Sequence, residues 1–404
     1  MKTPRTVLRT IGTILAILFG VCAFLYVVVA SFPGLSSRVA RAAAHVIVTH
    51  CAERNDKPLC YEENVPLLLY VSPIEGVFSV VRALQREDTS YRFCHVLGHE
   101  LGAALVKQNP DQWVDLMHRN PPDGLCSNGF LHGIIVGRFN YAVLSEEQID
   151  AIVPDFAEAC ERAPGWEPSD LDRAMCYHAL GHVLTHLTNA DLSLAADYCG
   201  AIAQRRGREA YVPTCVSGVF MQIFQPLEPE DYALIERLPV KPTKETLLTF
   251  CAAYNTEQKR GQCFSEGWPL FRDELQTATG TQAFCQSSKD SKIQEICYRT
   301  VFSIGARFGI SNPSARVSLC EQMPKGRVPE CIGILANAFI EEDRTKGADA
   351  SAACALASPE YQDGCYTYLL SMMRFNLVEG SPSRQALCAA LPPEYAKKCT
   401  LLSN

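Results

Sequence analysis

The stretch LCEQMPKGRVPECIGILANAFIEE, residues 319–342, closes one apolar segment on a cysteine, crosses a polar loop containing Pro, Gly and Lys, and opens a second apolar segment on another cysteine. ACALASPEYQDGCYTYLLSMMRF, residues 353–375, repeats that order. From residue 160 onward every cysteine joins such a pair: Cys160 with Cys176, Cys199 with Cys215, Cys251 with Cys263, Cys285 with Cys297, Cys320 with Cys331, Cys354 with Cys365 and Cys388 with Cys399. In the last five pairs the first cysteine recurs at 34, 35, 34 and 34 residues. A period of that size holds two helices and a turn. Each pair therefore reads as a disulfide across the loop of an α-hairpin, worth about 3 kcal/mol in the chain-entropy description. The expected class is all-α: disulfide-linked α-hairpin repeats stacked as a solenoid. A mixed α/β repeat is the alternative, because segments such as CYRTVFSIGARFGI hold β-branched and aromatic residues, although without sustained alternation.

Over Cys160–Cys399 the period and cysteine placement resemble the exported, cysteine-rich Sel1-like and tetratricopeptide-type repeat proteins. That resemblance implies a concave surface for peptides or proteins.

Outward toward the N-terminus, Lys2, Arg5 and Arg9 precede an uncharged run from Ile11 to Phe32. A run of that length can cross a hydrocarbon core of about 30 Å. The basic flank predicts a single-pass membrane anchor with the bulk of the chain on the exported side, periplasmic or extracellular/lumenal. A cleaved signal peptide ending near Val28-Val29-Ala30 is the competing reading. Cys22 alone falls in this run, leaving 18 of the 19 cysteines for the exported part, an even number. The expected division is a basic tail 1–10, an anchor 11–32, a juxtamembrane helix and first hairpin 33–93, histidine-rich repeats 94–190, and disulfide-linked hairpins 191–404. In the upstream part Cys51 and Cys60 form a local pair, and Cys94 and Cys126 remain by elimination.

Composition excludes several functions. A net charge of −7 gives no general attraction to nucleic acid. No C-x-x-C occurs, which removes the usual support for zinc ribbons, thioredoxin-type redox sites and covalent c-type haem. With every exported cysteine paired, a nucleophilic cysteine is also disfavoured.

The histidines carry the remaining signal. All nine precede residue 187, so the repeat fold does not itself require them. CHVLGHELG (94–102) and CYHALGHVL (176–184) each contain H-x-L-G-H-x-L. Histidines four apart share one helix face, with Cβ atoms about 5–6 Å apart. The cysteine and leucines, Cys94/Leu97/Leu101 and Cys176/Leu180/Leu184, form a separate apolar stripe. Gly98, Gly102 and Gly181 on the histidine side allow a backbone or ligand to approach closely. Between the two copies lies CSNGFLHGII (126–135); His132 stands six residues after its cysteine, as His182 does, and His99 stands five after its own. Successive hairpins thus place His95, His99, His132, His178 and His182 in one row, extended by His186, while His118 lies outside it.

Convergent imidazoles suit a transition metal such as Zn, Cu or Fe. Neither H-E-x-x-H nor H-x-x-E-H is present, since Val96 and Gly98 occupy the required places. The HELG segment, His99 to Gly102, resembles the His-Glu pairs of the helical-repeat deoxyhypusine hydroxylases. That resemblance implies iron ligation there, although Val183 replaces Glu in the second copy. Glu100 and His186 are candidate supporting groups or bases. Haem held by histidines from two helices is a further reading. The expected function is a membrane-anchored helical-repeat protein with a histidine-lined metal site, a metalloenzyme being one form of it. The alternative is a scaffold that binds a protein partner on the solenoid surface, its histidines structural.

Overall fold

The computed structural model describes residues 33–401 apart from 92–93, 122, 140–141 and 227–228. The anchor expected at 11–32 lies outside the described residues, and no described helix is long and apolar enough to cross a membrane. The described residues are predominantly helical, with no strand and one isolated bridge between Ala163 and Trp166. The mixed α/β alternative is therefore set aside.

The described residues fall into two compact units, one up to Tyr91 and one from Cys94. In the first, α1 (Pro33–Cys51) buries Ala40, Ala44, Ile47 and Cys51, an i, i+4, i+7, i+11 stripe, and packs on α3 (Ile74–Glu87). The bridge between Cys51 and Cys60 ties α1 to α2 (Lys57–Asn64). Tyr61 donates to Asp88 at 2.7 Å and meets Tyr91 edge-on.

The second unit is the hairpin array. Its inner row comprises α4 (His95–Gln108), α5 (Gly129–Phe139), α7 (Asp170–Leu187), α9 (Val212–Phe224), α11 (Glu257–Glu266), α13 (Ser291–Gly309), α15 (Val328–Glu342) and α17 (Pro359–Asn376), each packed on the next. From α5 onward the intervening helices are α6 (Glu146–Ala159), α8 (Leu192–Gln204), α10 (Leu247–Ala252), α12 (Ala278–Gln286), α14 (Pro313–Cys320) and α16 (Gly347–Ala355), and α18 (Pro382–Ala390) and α19 (Pro393–Leu401), joined by the last bridge, close the array. Helix starts follow local chemistry. Ser145 with Gln148 and Ser169 with Asp172 close capping boxes, and Asp191, Thr256, Asp290, Asn312 and Ser381 accept from first-turn amides.

The cysteines pair as their spacing predicts. Cys160 is bonded to Cys176, Cys199 to Cys215, Cys251 to Cys263, and Cys285 to Cys297. Further along, Cys320 is bonded to Cys331, Cys354 to Cys365, and Cys388 to Cys399. Each first cysteine lies at or near the end of one helix, whereas Cys176, Cys215, Cys263, Cys297, Cys331, Cys365 and Cys399 lie within the next. The Cα atoms are 5.5–5.7 Å apart in every case. One spacing repeated seven times is one hairpin junction repeated seven times. The pairing reached by elimination also holds: Cys94 is bonded to Cys126, which sits in the turn Leu125–Asn128.

The array departs from an open solenoid in one respect. In a linear stack each repeat meets only its neighbours. Here α17 returns to α7, and α15 reaches the Leu125–Asn128 turn. Arg344, just after α15, forms a buried ion pair with Asp172 of α7, bonds Ser169 Oγ at 3.4 Å, and its amide meets the Asp123 carbonyl. The inner row thus curls until distant repeats touch.

A candidate metal centre

The two H-x-L-G-H segments occupy α4 and α7, and each packs on the helix after the following cysteine, α5 and α9. Glycine makes both crossings close. A Cβ on Gly129 would lie 2.2 Å from the His95 carbonyl oxygen, and one on Gly133 would lie 2.0 Å from that of His99. At the second crossing, Gly181 would meet the Cys215 oxygen at 2.0 Å and Gly218 the His178 oxygen at 2.1 Å. The helix backbones are in contact, so side chains of α5 and α9 are carried to the histidines of α4 and α7. Gly133→Ala should force α4 and α5 apart, lowering stability by about 1–3 kcal/mol in thermal unfolding. Unchanged stability would show that the crossing is looser than these distances imply.

The five row histidines come together. His95 and His99 stand with ring centroids 4.7 Å apart, as do His178 and His182. His132 lies between the pairs, 5.0 and 5.1 Å from the first and 5.6 and 5.4 Å from the second. It is 4% exposed, and its Nε2 has no hydrogen-bond partner. One ring nitrogen from each of His95, His99 and His132 falls within 4.8 Å of the other two, a spacing that lets them hold one ion.

The surroundings orient these rings. His95 Nδ1–H donates to the Cys126 carbonyl at 3.2 Å, His178 Nδ1–H to that of Thr214 at 3.2 Å, and His182 Nδ1–H to Gln222 Oε1 at 2.6 Å. Committing Nδ1 in this way fixes the tautomer and turns each Nε2 toward the neighbouring imidazole. Within each pair the two Nε2 atoms are 3.1 Å apart. Two nitrogens on one tetrahedral ion, each about 2.05 Å from it, stand roughly 3.3 Å apart. The first site has an unusual support: Cys126, Ser127 and Asn128 are left-handed in succession (φ 57°, 50°, 60°), which turns the Cys126 carbonyl toward His95. Such residues cost about 1–2 kcal/mol each. The bridge to Cys94 and the Asn120–Asn128 side-chain bond at 2.7 Å hold them there.

No family profile, curated protein or solved structure matches this chain. The site is therefore read from its own chemistry. Burial pushes His95 and His182 down to about 4, and His99, His132 and His178 well below the ordinary imidazole value; Arg307 adds to the shift at His95 and His178. Five imidazoles are thus neutral at neutral pH, the state in which imidazole ligates metal.

The other candidates stand apart. His186 is buried against Asp231, with Nε2 to Oδ1 at 3.1 Å. Glu100 is exposed on α4. His118 stacks on Trp166.

The sequence reading misses two residues, Met221 and Gln222. Met221 Sδ lies 3.3 Å from His178 Nε2. The count that finds His132, six residues after its cysteine, also leads from Cys215 to Met221, but a count confined to histidines passes over it. Further along the inner row, buried Glu266 accepts from Ser217 Oγ at 2.6 Å and Gln225 Nε2 at 3.0 Å. Arg307 acts electrostatically on His95, His178, Glu266 and Glu341 alike, which ties the far side of the row to the histidines.

Proposed function

We propose that this chain is a membrane-anchored, exported helical-repeat protein that binds a transition-metal ion through His95, His99 and His132. The observation that carries the reading is His132 Nε2: a buried nitrogen with no hydrogen-bond partner, surrounded by four other imidazoles. A buried polar atom left unsatisfied costs about 1–3 kcal/mol, and an ion shared with His95 and His99 would remove that cost. Three neutral imidazoles suit Zn, Cu, Fe or Ni. Ring centroids only 4.7–5.6 Å apart leave a space suited to a small ion, and His132 fills the place where a porphyrin would have to lie between the two pairs. Export is supported by the nine bridges, since disulfides persist in oxidising compartments. The anchor rests on the Ile11–Phe32 run and its basic flank.

Elemental analysis of protein reconstituted in turn with Zn, Cu, Fe and Ni tests the metal reading. The parent should retain stoichiometric metal. His99→Ala and His132→Ala should each weaken binding at least about 10–100-fold. His118→Ala, on its separate Trp166 contact, should bind like the parent. A parent that retains no metal after any reconstitution would leave the interaction scaffold as the better account.

A further inference from the structure

The second crossing repeats the first with one chemical change. Cys126–Gly129–His132 and Cys215–Gly218–Met221 occupy matching places: each glycine meets the carbonyl of the first histidine in the facing pair, at 2.2 and 2.1 Å from a notional Cβ. Each pair brings its Nε2 atoms to 3.1 Å. Where the first site has an imidazole, the second has a thioether.

The contact between His178 and Met221 is not an ordinary hydrogen bond. His178 Nδ1–H is committed to the Thr214 carbonyl and His182 Nδ1–H to Gln222, so both Nε2 atoms are bare acceptors. The Met221 sulfur is an acceptor too. Yet His182 Nε2 stands 3.1 Å from His178 Nε2, which stands 3.3 Å from Met221 Sδ. With the Gln222 oxygen toward His182, three lone pairs meet there. A methionine that merely filled space would lay its sulfur at a ring edge among carbons; this one faces a nitrogen lone pair.

We propose that His178, His182 and Met221 form a second, separate metal centre that takes monovalent copper. Soft thioether ligands select Cu(I), and all 18 cysteines among the described residues are used in bridges, leaving methionine as the soft donor. The donor set is neutral, and Arg307 contributes positive potential at His178. A neutral donor set partly shielded from water holds one charge at lower cost than two. The inference goes beyond the first centre and stands without it.

The test uses the full chain under anaerobic conditions, with Cu(I) supplied from a competing chelator, Ag(I) as a redox-inert soft probe, and Zn(II) in parallel. The Cu(I)-loaded parent should show a sulfur neighbour of copper by X-ray absorption. Met221→Leu, which conserves volume, should abolish that neighbour and weaken Cu(I) and Ag(I) binding at least tenfold while leaving Zn(II) binding unchanged. Met221→His should reverse the preference toward Zn(II), and it supplies the comparison if the leucine variant folds poorly. His99→Ala should keep the sulfur neighbour. A loaded parent without a sulfur neighbour, or Met221 variants that bind Cu(I) like the parent, overturns the proposal. Failure of His99→Ala to alter Zn(II) binding counts against the first centre only.

Discussion

Asp172→Ala should lower the stability of the array by about 3–5 kcal/mol, because it leaves the Arg344 guanidinium buried without its carboxylate. Both side chains are about 5% exposed, so solvent cannot replace the lost partner. The same carboxylate closes the capping box of α7, accepting from Ser169 N at 2.9 Å and Ser169 Oγ at 2.8 Å, so the start of the histidine-bearing helix is loosened as well. Arg344 also reaches the Asp123 carbonyl, near the turn that supports His95. The damage should therefore spread to the metal centre: chemical denaturation should show the stability loss, and metal titration should show weaker binding. The double variant Asp172→Asn/Arg344→Met keeps a capping acceptor while removing both charges, and should recover much of the loss. If Asp172→Ala unfolds like the parent, the curl of the row does not depend on this pair.

That pair also marks where reading from the sequence stops. The hairpin junctions are legible because each bridge closes a short loop, as Cys320 to Cys331 and Cys354 to Cys365 do over 11 residues, so local spacing is sufficient. The histidine row is legible because a repeat places equivalent residues at equivalent heights, and counting from each cysteine supplies the register. Arg344 and Asp172 lie 172 residues apart. No periodicity links them, because the curl arises from small rotations summed over many repeats. The left-handed turn Cys126–Asn128 is hidden for another reason: only asparagine there signals such a backbone, while the Cys126 and Ser127 conformations are imposed by the bridge and the crossing. Met221 is legible in principle. It escapes notice because methionine at helical spacing ordinarily reads as core.

Lowering the pH from 6.5 toward 4 should destabilise the metal-free protein steeply. His95 and His182 are held down to about 4, chiefly by burial, with Arg307 adding to the shift at His95. In the unfolded chain both return to the ordinary value near 6.5. Between those values the unfolded state takes up protons that the native state refuses, so stability rises with pH across this window and is lost as pH falls. Each group contributes about 1.4 kcal/mol per pH unit, which over roughly 2.5 units makes several kcal/mol for the two together. His99, His132 and His178 act in the same direction. Glu266, raised to about 7 by burial, opposes them: its native form keeps a proton that the unfolded chain releases above about 4.5, so it costs stability as pH rises toward 7. Glu341 is raised by burial in the same sense. Glu100 is raised by partial burial too, while His118 is lowered by it, so three carboxyls stand against six imidazoles and the histidines control the slope. Bound metal needs neutral imidazole, so metal should be released over the same acid window that weakens the fold. Thermal unfolding from pH 7 to 4 checks this, with His95→Gln/His182→Gln as the comparison: the double variant should lose about two protons from the pH slope. An unchanged slope would mean that these two rings are protonated in the native state and do not present bare nitrogens to an ion.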